Sequence, residues 1–568
     1  MYKYAVIDIE TTGLDRFKNT ITYVGIGLAN DTLKKIIVID MSKANSMEKL
    51  NRVFNKISNQ KLQTVFQNGK FDTLFLETYN MLIPIHHDVM LMGTAYDLTA
   101  KHSLKDMAKN YLQVENWDVT KKVKTGYSKE TEQYLKKDIQ YTWELFKYFS
   151  NIMTEGQLFV YKNLLRPAYL LYKRVERTGI YLDVPALEKV KKDYKAKQEQ
   201  AHKVLINQYD INWNSPAQVS EVLFNREKLP TLKLSQKTGK PSADAKILKR
   251  LSAQGYEITK QLLEYKFYYG ANTKFLNNWG EYAKYDGRIH PSFHITNVIT
   301  GRTSCSDPNL QQVPRNPELR SLFTAPKDRL LIEADYSQIE LRIAADYADE
   351  PTMIQIYKTG GDIHTETAAS VMGKSVDQVK KDDRSKAKAV NFGFLYGMMA
   401  KKFAEYAYDN YGVQITRNEA ERYRELFFNK YSRLLAWHEE TAQLCEMLGG
   451  VENKFGRFIS LPNIYSDDFW EKQAAIRKAI NAPVQGTASD LLLLSAVEID
   501  KKLRPEFDLK IVGTVHDSIL MDCPEKYVEE VVALIKKIMS NPEALKKFGV
   551  KFKIPIEADV GIGAWGSK

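Results

Sequence analysis

Asp8 and Glu10 stand two residues apart in the apolar run Tyr4-Ala5-Val6-Ile7-Asp8-Ile9-Glu10. On a strand, that spacing puts both carboxylates on one face. Asp72 follows Val65-Phe66-Gln67-Asn68-Gly69, which reads as a strand ending in a turn before a helix from about Phe71. Tyr134 and Asp138 are four apart and share one face of a helix. A fold that gathers these groups has to set strand ends against helices. Residues 1–155 therefore read as an α/β unit, with further apolar runs at Ile21 to Leu28 and Ile36 to Ile39 and helical closure around Leu104 and Leu135. Crowded carboxylates repel one another unless cations neutralise them, and divalent metals that activate a water would do so. A DxE at a strand end is common, and Tyr-x-x-x-Asp on a helix commoner still. The weight lies in the ordered set.

The rest of the 568 residues allows about three or four domains at roughly 150 residues each. Residues 156–183 form one helical pattern ending at Gly179. Residues 186–285 are polar and strand-poor, and read as a helical projection rather than a compact core. Leu330 to Ala334 is a strand entering Asp335, residues 339–450 are nearly all helical, and 508–523 give two strands around Val515-His516-Asp517. Three separated cysteines, Cys305, Cys445 and Cys523, exclude a disulfide scaffold and a cysteine-built zinc site, and suit a reducing compartment. No run approaches the length of a membrane span, and the start lacks the plan of a signal peptide. With 82 Lys+Arg against 70 Asp+Glu the net charge is +12, which favours a polyanionic partner.

A second cluster lies in residues 300–397. Thr300-Gly301-Arg302-Thr303-Ser304 and Asp307-Pro308-Asn309 form an ordered turn. Asp335-Tyr336-Ser337-Gln338-Ile339-Glu340-Leu341-Arg342 follows a strand. Arg384, Lys388, Phe392 and Tyr396 recur every four residues along one side of a helix, beside Gly393 and Gly397. A solvated basic helix would account for the first pair. A basic pair followed by aromatic surface also suits a triphosphate tail with a stacked base beyond it.

Ile7-Asp8-Ile9-Glu10-Thr11, Asn68-Gly69-Lys70-Phe71-Asp72 and Tyr134-x-x-x-Asp138 resemble the three motifs of DEDD-type 3'-5' exonucleases in their tyrosine variant. The remainder resembles a family A DNA polymerase. Asp335 to Arg342 is similar to motif A, Arg384 through Gly397 to motif B, and Val515-His516-Asp517 to motif C. Arg477-x-x-x-Asn481-Ala482-Pro483-x-Gln485-Gly486 is similar to the segment that contacts the primer-template minor groove. The resemblance covers essentially the entire chain. It implies an α/β multidomain fold: a ribonuclease H-like exonuclease domain at 1–155, a connecting helix at 156–185, a thumb at 186–285, palm at 286–340 and 471–568, and fingers at 341–470.

What the resemblance implies for the sites is equally specific. Asp8, Glu10, Asp72 and Asp138 would hold two Mg²⁺ ions, with Tyr134 orienting the attacking water. Asp335 and Asp517, with the Tyr336 carbonyl, would hold two more, and Mn²⁺ would substitute. Arg384, Lys388, His364 and Gln338 would meet the incoming deoxynucleoside triphosphate, Phe392 would pack on it, Tyr396 would guard the template-base position, and Glu340 would exclude a 2'-hydroxyl. Arg302, Arg477, Asn481, Gln485 and His516 would touch primer-template DNA. The implied protein is a monomer of the bacterial or phage-infected cytoplasm, without membrane association, with replisome proteins among its partners and without room for an amino-terminal 5' nuclease.

Two positions depart from the family pattern. Ser518 follows Asp517 where many relatives carry glutamate, and alternation along the strand predicts that it points away from Asp335. Cys305 stands where serine is usual and reads as an ordinary buried thiol. Three other readings compete with a proofreading polymerase. One is an exonuclease whose polymerase-like part mainly grips DNA, and a second is a non-catalytic scaffold. Intact Asp335, Asp517, Arg384 and Lys388 weigh against both. The third is an RNA polymerase, which conflicts with Glu340.

Overall fold

In this computed structural model, residues 2–120, 123 and 125–567 are described. The strand Tyr4–Thr11 is almost wholly buried, as a central strand should be. It pairs antiparallel with Ile21–Ala29 and parallel with Gln63–Phe66. Leu33–Asp40 and His87–Asp88 form the outer strands of the five-stranded sheet. Ser128 caps the helix Lys129–Ile152 by accepting from Thr131 N, and Leu135 and Ile139 of this helix are buried. Gly25 pairs with Asp8 across the ladder, and a Cβ at Gly25 would come 2.4 Å from Ile139 Cδ1 and 2.9 Å from Leu135 Cγ. The missing side chain lets the helix lie close to the strand, and this brings Asp138 over Asp8.

One helical run from Glu155 to Thr178, with a wider turn at Tyr161–Leu165, leads out of this domain and stops at Gly179, whose φ is +67°. The exonuclease-like domain docks on it through polar groups. Lys70 is buried, with its ammonium between Glu176 Oε1 and the Phe293 carbonyl, and Tyr169 Oη donates to Asn68 Oδ1 at 3.1 Å. A buried ammonium is tolerable only with such partners.

Residues 184–283 carry the long helices Val184–Ile206 and Glu257–Ala271, packed on one another. The expectation of a projection without a core needs correction. Leu205, Trp213, Val219, Val222, Leu223, Leu248, Leu251 and Leu262 form a separate, nearly water-free cluster. Its members come from short apolar groups, such as Val219-x-x-Val222-Leu223 and Leu248-x-x-Leu251, separated by polar stretches, so no single window of sequence shows the core they build together. From this region Arg250 makes a two-nitrogen contact with Asp409 Oδ1, at 2.9 and 2.6 Å, reaching across to the helix Ala400–Tyr411.

Lys510–Val515, Ser518–Pro524, Arg329–Tyr336 and Ala558–Gly563 pair in that order as a four-stranded antiparallel sheet. Beneath it runs the helix Phe469–Phe507, in which Leu491 to Leu494 are all buried. A helix apolar on every side belongs in a core. The helices between Ile339 and Leu448 rise from the sheet. Among them Gly393 of Lys381–Leu395 lies so close to Phe403 that a Cβ would come 2.5 Å from its ring. No helix among the described residues is long and apolar enough to cross a membrane.

Candidate functional site

Two cavities among the described residues hold predicted carboxylates. The first, of about 700 Å³, is lined by Asp8, Asn68, Lys105, Tyr134 and Asp138 from the amino-terminal domain and by Thr296, Asn297 and Ile299 from beyond it. Asp8, Glu10 and Asp138 each bring a carboxylate oxygen within 4.8 Å of the others. Asp72 lies outside this group of three. Its Oδ1 accepts the Ile9 N–H at 3.0 Å, on the backbone between the two strand carboxylates. Burial, then the charge of Asp138, pushes the Asp8 carboxyl well above the ordinary aspartate range, and burial followed by Asp8 does the same to Asp72. Carboxyls held this way gain most from an added cation, and their hard oxygens suit Mg²⁺. The residues present therefore fit a divalent metal site. The sequence offered no warning of Lys105 or Trp117, both of which bond to Asp138.

The second cavity, of about 900 Å³, gathers Arg302, Asp335, Tyr336, Gln338, Glu340, His364, Lys388, Phe392, His516 and Asp517. Local backbone explains the meeting of the two aspartates. His516 adopts φ +56° in the two-residue connection between strands, and the resulting hairpin pairs Ser518 with Asp335. Tyr336 N donates to the Asp517 carbonyl at 3.2 Å, tying the turn to the neighbouring strand. Burial raises the Asp517 carboxyl, with Arg302 opposing. Burial pushes Glu340 up to about 7, against the pull of Arg302 and with the push of Asp517. Arg302 and the Tyr396 hydroxyl both donate to Glu340, so this carboxylate is fixed in the cavity wall.

The expectation for Ser518 is corrected here. It does not turn to another face but stands directly opposite Asp335 in the ladder and lines the same cavity. Strand alternation was counted from Asp517, yet Asp517 belongs to the turn and the strand begins at Ser518. The Ser518 hydroxyl donates to the Val515 carbonyl at 2.9 Å. Cys305 is buried at the pairing with Phe293, and burial pushes its thiol up to about 12.

Of the remaining predicted residues, Arg384, Tyr396, Arg477, Asn481 and Gln485 stand outside the lining of this cavity, whereas His364 lines it. Arg384 makes two bonds to Asp362, Nε to Oδ1 at 3.0 Å and Nη2 to Oδ2 at 2.7 Å, which holds the Asp362 carboxyl far below its usual range. His364 is buried, pushed down to about 4 by its burial, and its Nδ1 faces Asn391 Nδ2 at 2.8 Å. Tyr396 caps the helix Lys381–Leu395 rather than continuing it. Arg477 is exposed and Asn481 and Gln485 half-buried along one face of Phe469–Phe507. Arg315, Arg320, Glu333 and Tyr411 also line the cavity, and the motif pattern did not single them out.

Residues 185–567 match the family described as DNA polymerase family A. The chain belongs to DNA polymerase family A. Residues 2–154 match a 3'-5' exonuclease family, so the family A fold is joined to an exonuclease domain. DNA polymerase I of Aquifex aeolicus is 30% identical over 583 aligned residues, covering 98% of this chain and 94% of that protein. DNA polymerase I of Pseudomonas aeruginosa is 33% identical over 408 residues, 70% of this chain and 43% of that protein. The thermostable DNA polymerase I of Thermus filiformis is 34% identical over 426 residues, 74% and 49% respectively. The chain thus spans about half the length of these last two relatives. The solved POL domain of Pol1 from M. smegmatis, in complex with DNA primer-template and dNTP, superposes with a TM-score of 0.86 over 99% of this chain and 95% of that one, at 23% identity. The family A fold of palm, fingers and thumb with an exonuclease domain is therefore established for this chain.

Proposed function

We propose that this protein extends a DNA primer on a template and removes mismatched 3' ends, using two separate carboxylate sites. The observation that carries the reading is the second cavity, where Asp335 and Asp517 meet Lys388 and Phe392. Asp335, Asp517 and the Tyr336 carbonyl would hold two Mg²⁺ ions, or Mn²⁺ in their place. Bound there, they would favour the ionised primer 3'-hydroxyl and the leaving pyrophosphate. Lys388, Arg384, His364 and Gln338 bind and orient the triphosphate, and Phe392 packs against the nucleotide. Arg384 would exchange Asp362 for a phosphate oxygen, a swap between two acceptors that fit its fork. Tyr396 stands by the template-base position. Arg302, Arg477, Asn481, Gln485 and His516 follow the minor groove, where acceptor positions are nearly alike for every base pair and report geometry rather than sequence.

At the first cavity, Asp8, Glu10, Asp72 and Asp138 would hold the metals and Tyr134 would orient the water. The same reading takes 1–155 as the exonuclease domain and 156–185 as a connecting helix. It takes 186–285 as thumb, 286–340 and 471–568 as palm, and 341–470 as fingers. Deoxynucleoside triphosphates and primer-template DNA are the substrates, in a bacterial or phage-infected cytoplasm, and the protein works as a monomer alongside replisome proteins.

Primer extension with Mg²⁺ tests the reading directly. The wild type should extend a matched primer with deoxynucleotides, and Asp335→Asn should abolish extension while retaining exonuclease activity. Exonuclease activity without extension by the wild type would leave a nuclease with a DNA-gripping module instead.

Glu340 makes a second, sharper test. Its carboxylate is pinned by Arg302 and Tyr396 in the wall of the cavity, with no freedom to retreat from a 2'-hydroxyl. Overfilling a tightly packed wall costs about 1–3 kcal/mol. Glu340→Ala should therefore lower discrimination against ribonucleotides by about tenfold or more, measured as the ratio of the two kcat/KM values. An unchanged ratio rules out this role.

A further inference from the structure

Lys105 belongs to none of the recognised motifs, yet it lines the exonuclease cavity. It lies in the helix Leu104–Leu112, started by Ser103. Its Nζ is 2.7 Å from both carboxylate oxygens of Asp138 and 2.6 Å from the Tyr134 hydroxyl. The ammonium also lies over two aromatic rings, 4.2 Å from the Tyr134 centroid and 4.8 Å from that of Trp117. Trp117 Nε1 donates to Asp138 Oδ1 at 2.6 Å. The Lys105 side chain is only 20% exposed and that of Asp138 9%. This is a desolvated ion pair, and its charge also acts on Asp8.

We propose that Lys105 is the resident counter-ion of the exonuclease carboxylates, a positioning residue that a divalent cation must displace from Asp138. The proposal rests on the exonuclease reading of this cavity. The ammonium engages both Asp138 oxygens and Trp117 engages Oδ1 as well, so a metal approaching Asp138 meets the lysine's charge at either oxygen. Like charges at such short range also repel, and the burial of this pair leaves them weakly screened. The two cations therefore compete for one carboxylate. While the lysine holds Asp138, it also holds the Tyr134 hydroxyl beside it, keeping acid and phenol in register. With a metal bound, the ammonium would move off Asp138 and away from the Tyr134 hydroxyl. The four-carbon stem gives Lys105 the reach to shift without moving its helix.

Metal binding without DNA decides the matter. In an Asp335→Asn, Asp517→Asn background, Mn²⁺ is titrated into the protein and free Mn²⁺ is read by electron paramagnetic resonance. Lys105→Met should bind Mn²⁺ about tenfold more tightly than its parent, and Lys105→Arg, which keeps the charge, should not. The Mg²⁺ concentration for half-maximal exonuclease activity should fall in parallel. A Lys105→Met affinity equal to or weaker than the parent's would overturn the proposal and leave Lys105 a structural tie. Adding Asp8→Ala to the parent should abolish the tight binding. If the parent shows no Asp8-dependent Mn²⁺ binding, the metal reading of the cavity itself fails, which is a different result from an unmoved Lys105 variant. Should Lys105→Met not fold, Lys105→Gln keeps a hydrogen-bond donor toward Asp138, and the same comparison applies to it.

Discussion

Asp517→Asn should reduce single-nucleotide insertion by about a thousandfold or more, about 4 kcal/mol of transition-state stabilisation. The substitution keeps the shape of the turn and removes one charge. That charge sits opposite the Asp335 strand in a cavity where burial already raises the Asp517 carboxyl, so it is poorly solvated and its pull on a cation is strong. Asparagine offers one neutral oxygen in its place. Ser518 supplies the internal comparison. It faces Asp335 across the ladder, but its hydroxyl is committed to the Val515 carbonyl and carries no charge. Ser518→Ala should lower insertion by less than about tenfold, or roughly 1.4 kcal/mol. The measurement is single-turnover insertion over a Mg²⁺ titration, with folding followed by thermal melting. A Ser518→Ala loss as deep as that of Asp517→Asn would show that two carboxylates do not suffice here.

The fold class was readable because its signals are local and ordered. The DxE run, the Tyr-x-x-x-Asp helix and the four-residue stripe from Arg384 each declare an element and a face, and the exonuclease domain and the polymerase fold follow from their sequence order. What stayed hidden depends on partners far along the chain. The pairing of Arg384 with Asp362 spans 22 residues and that of Lys105 with Asp138 spans 33. Either lysine or arginine could equally have been a solvated surface group. The face of Ser518 depended on where the turn ends, and the left-handed His516 places that boundary one residue later than simple alternation assumes. The separate core of residues 184–283 is hidden for a related reason: Trp213 and Leu262 belong to one cluster across a polar stretch that no periodic window spans.

Asp8→Ala should abolish removal of a mismatched 3' end, by about a thousandfold, while extension of a matched primer stays within about twofold. The separation follows from geometry. Asp8 lines the first cavity and Asp517 the second, and among the described residues no group of three potential metal ligands joins carboxylates of both. Asp8 also has a signature apart from catalysis. Burial and Asp138 raise its carboxyl, so between the ordinary aspartate range and that raised value the folded chain binds more protons than the unfolded one. The contribution of this carboxyl to the stability of the metal-free protein then declines as pH rises through that window. Asp8→Ala removes the penalty. With a chelator present its melting temperature should exceed that of the wild type, and the gap should be wider at pH 8 than at pH 5. Saturating Mg²⁺ should narrow or reverse the gap, because only the wild type gains a fully liganded cation at this site. Loss of matched-primer extension in a folded Asp8→Ala protein would mean that the two cavities do not act as separate sites.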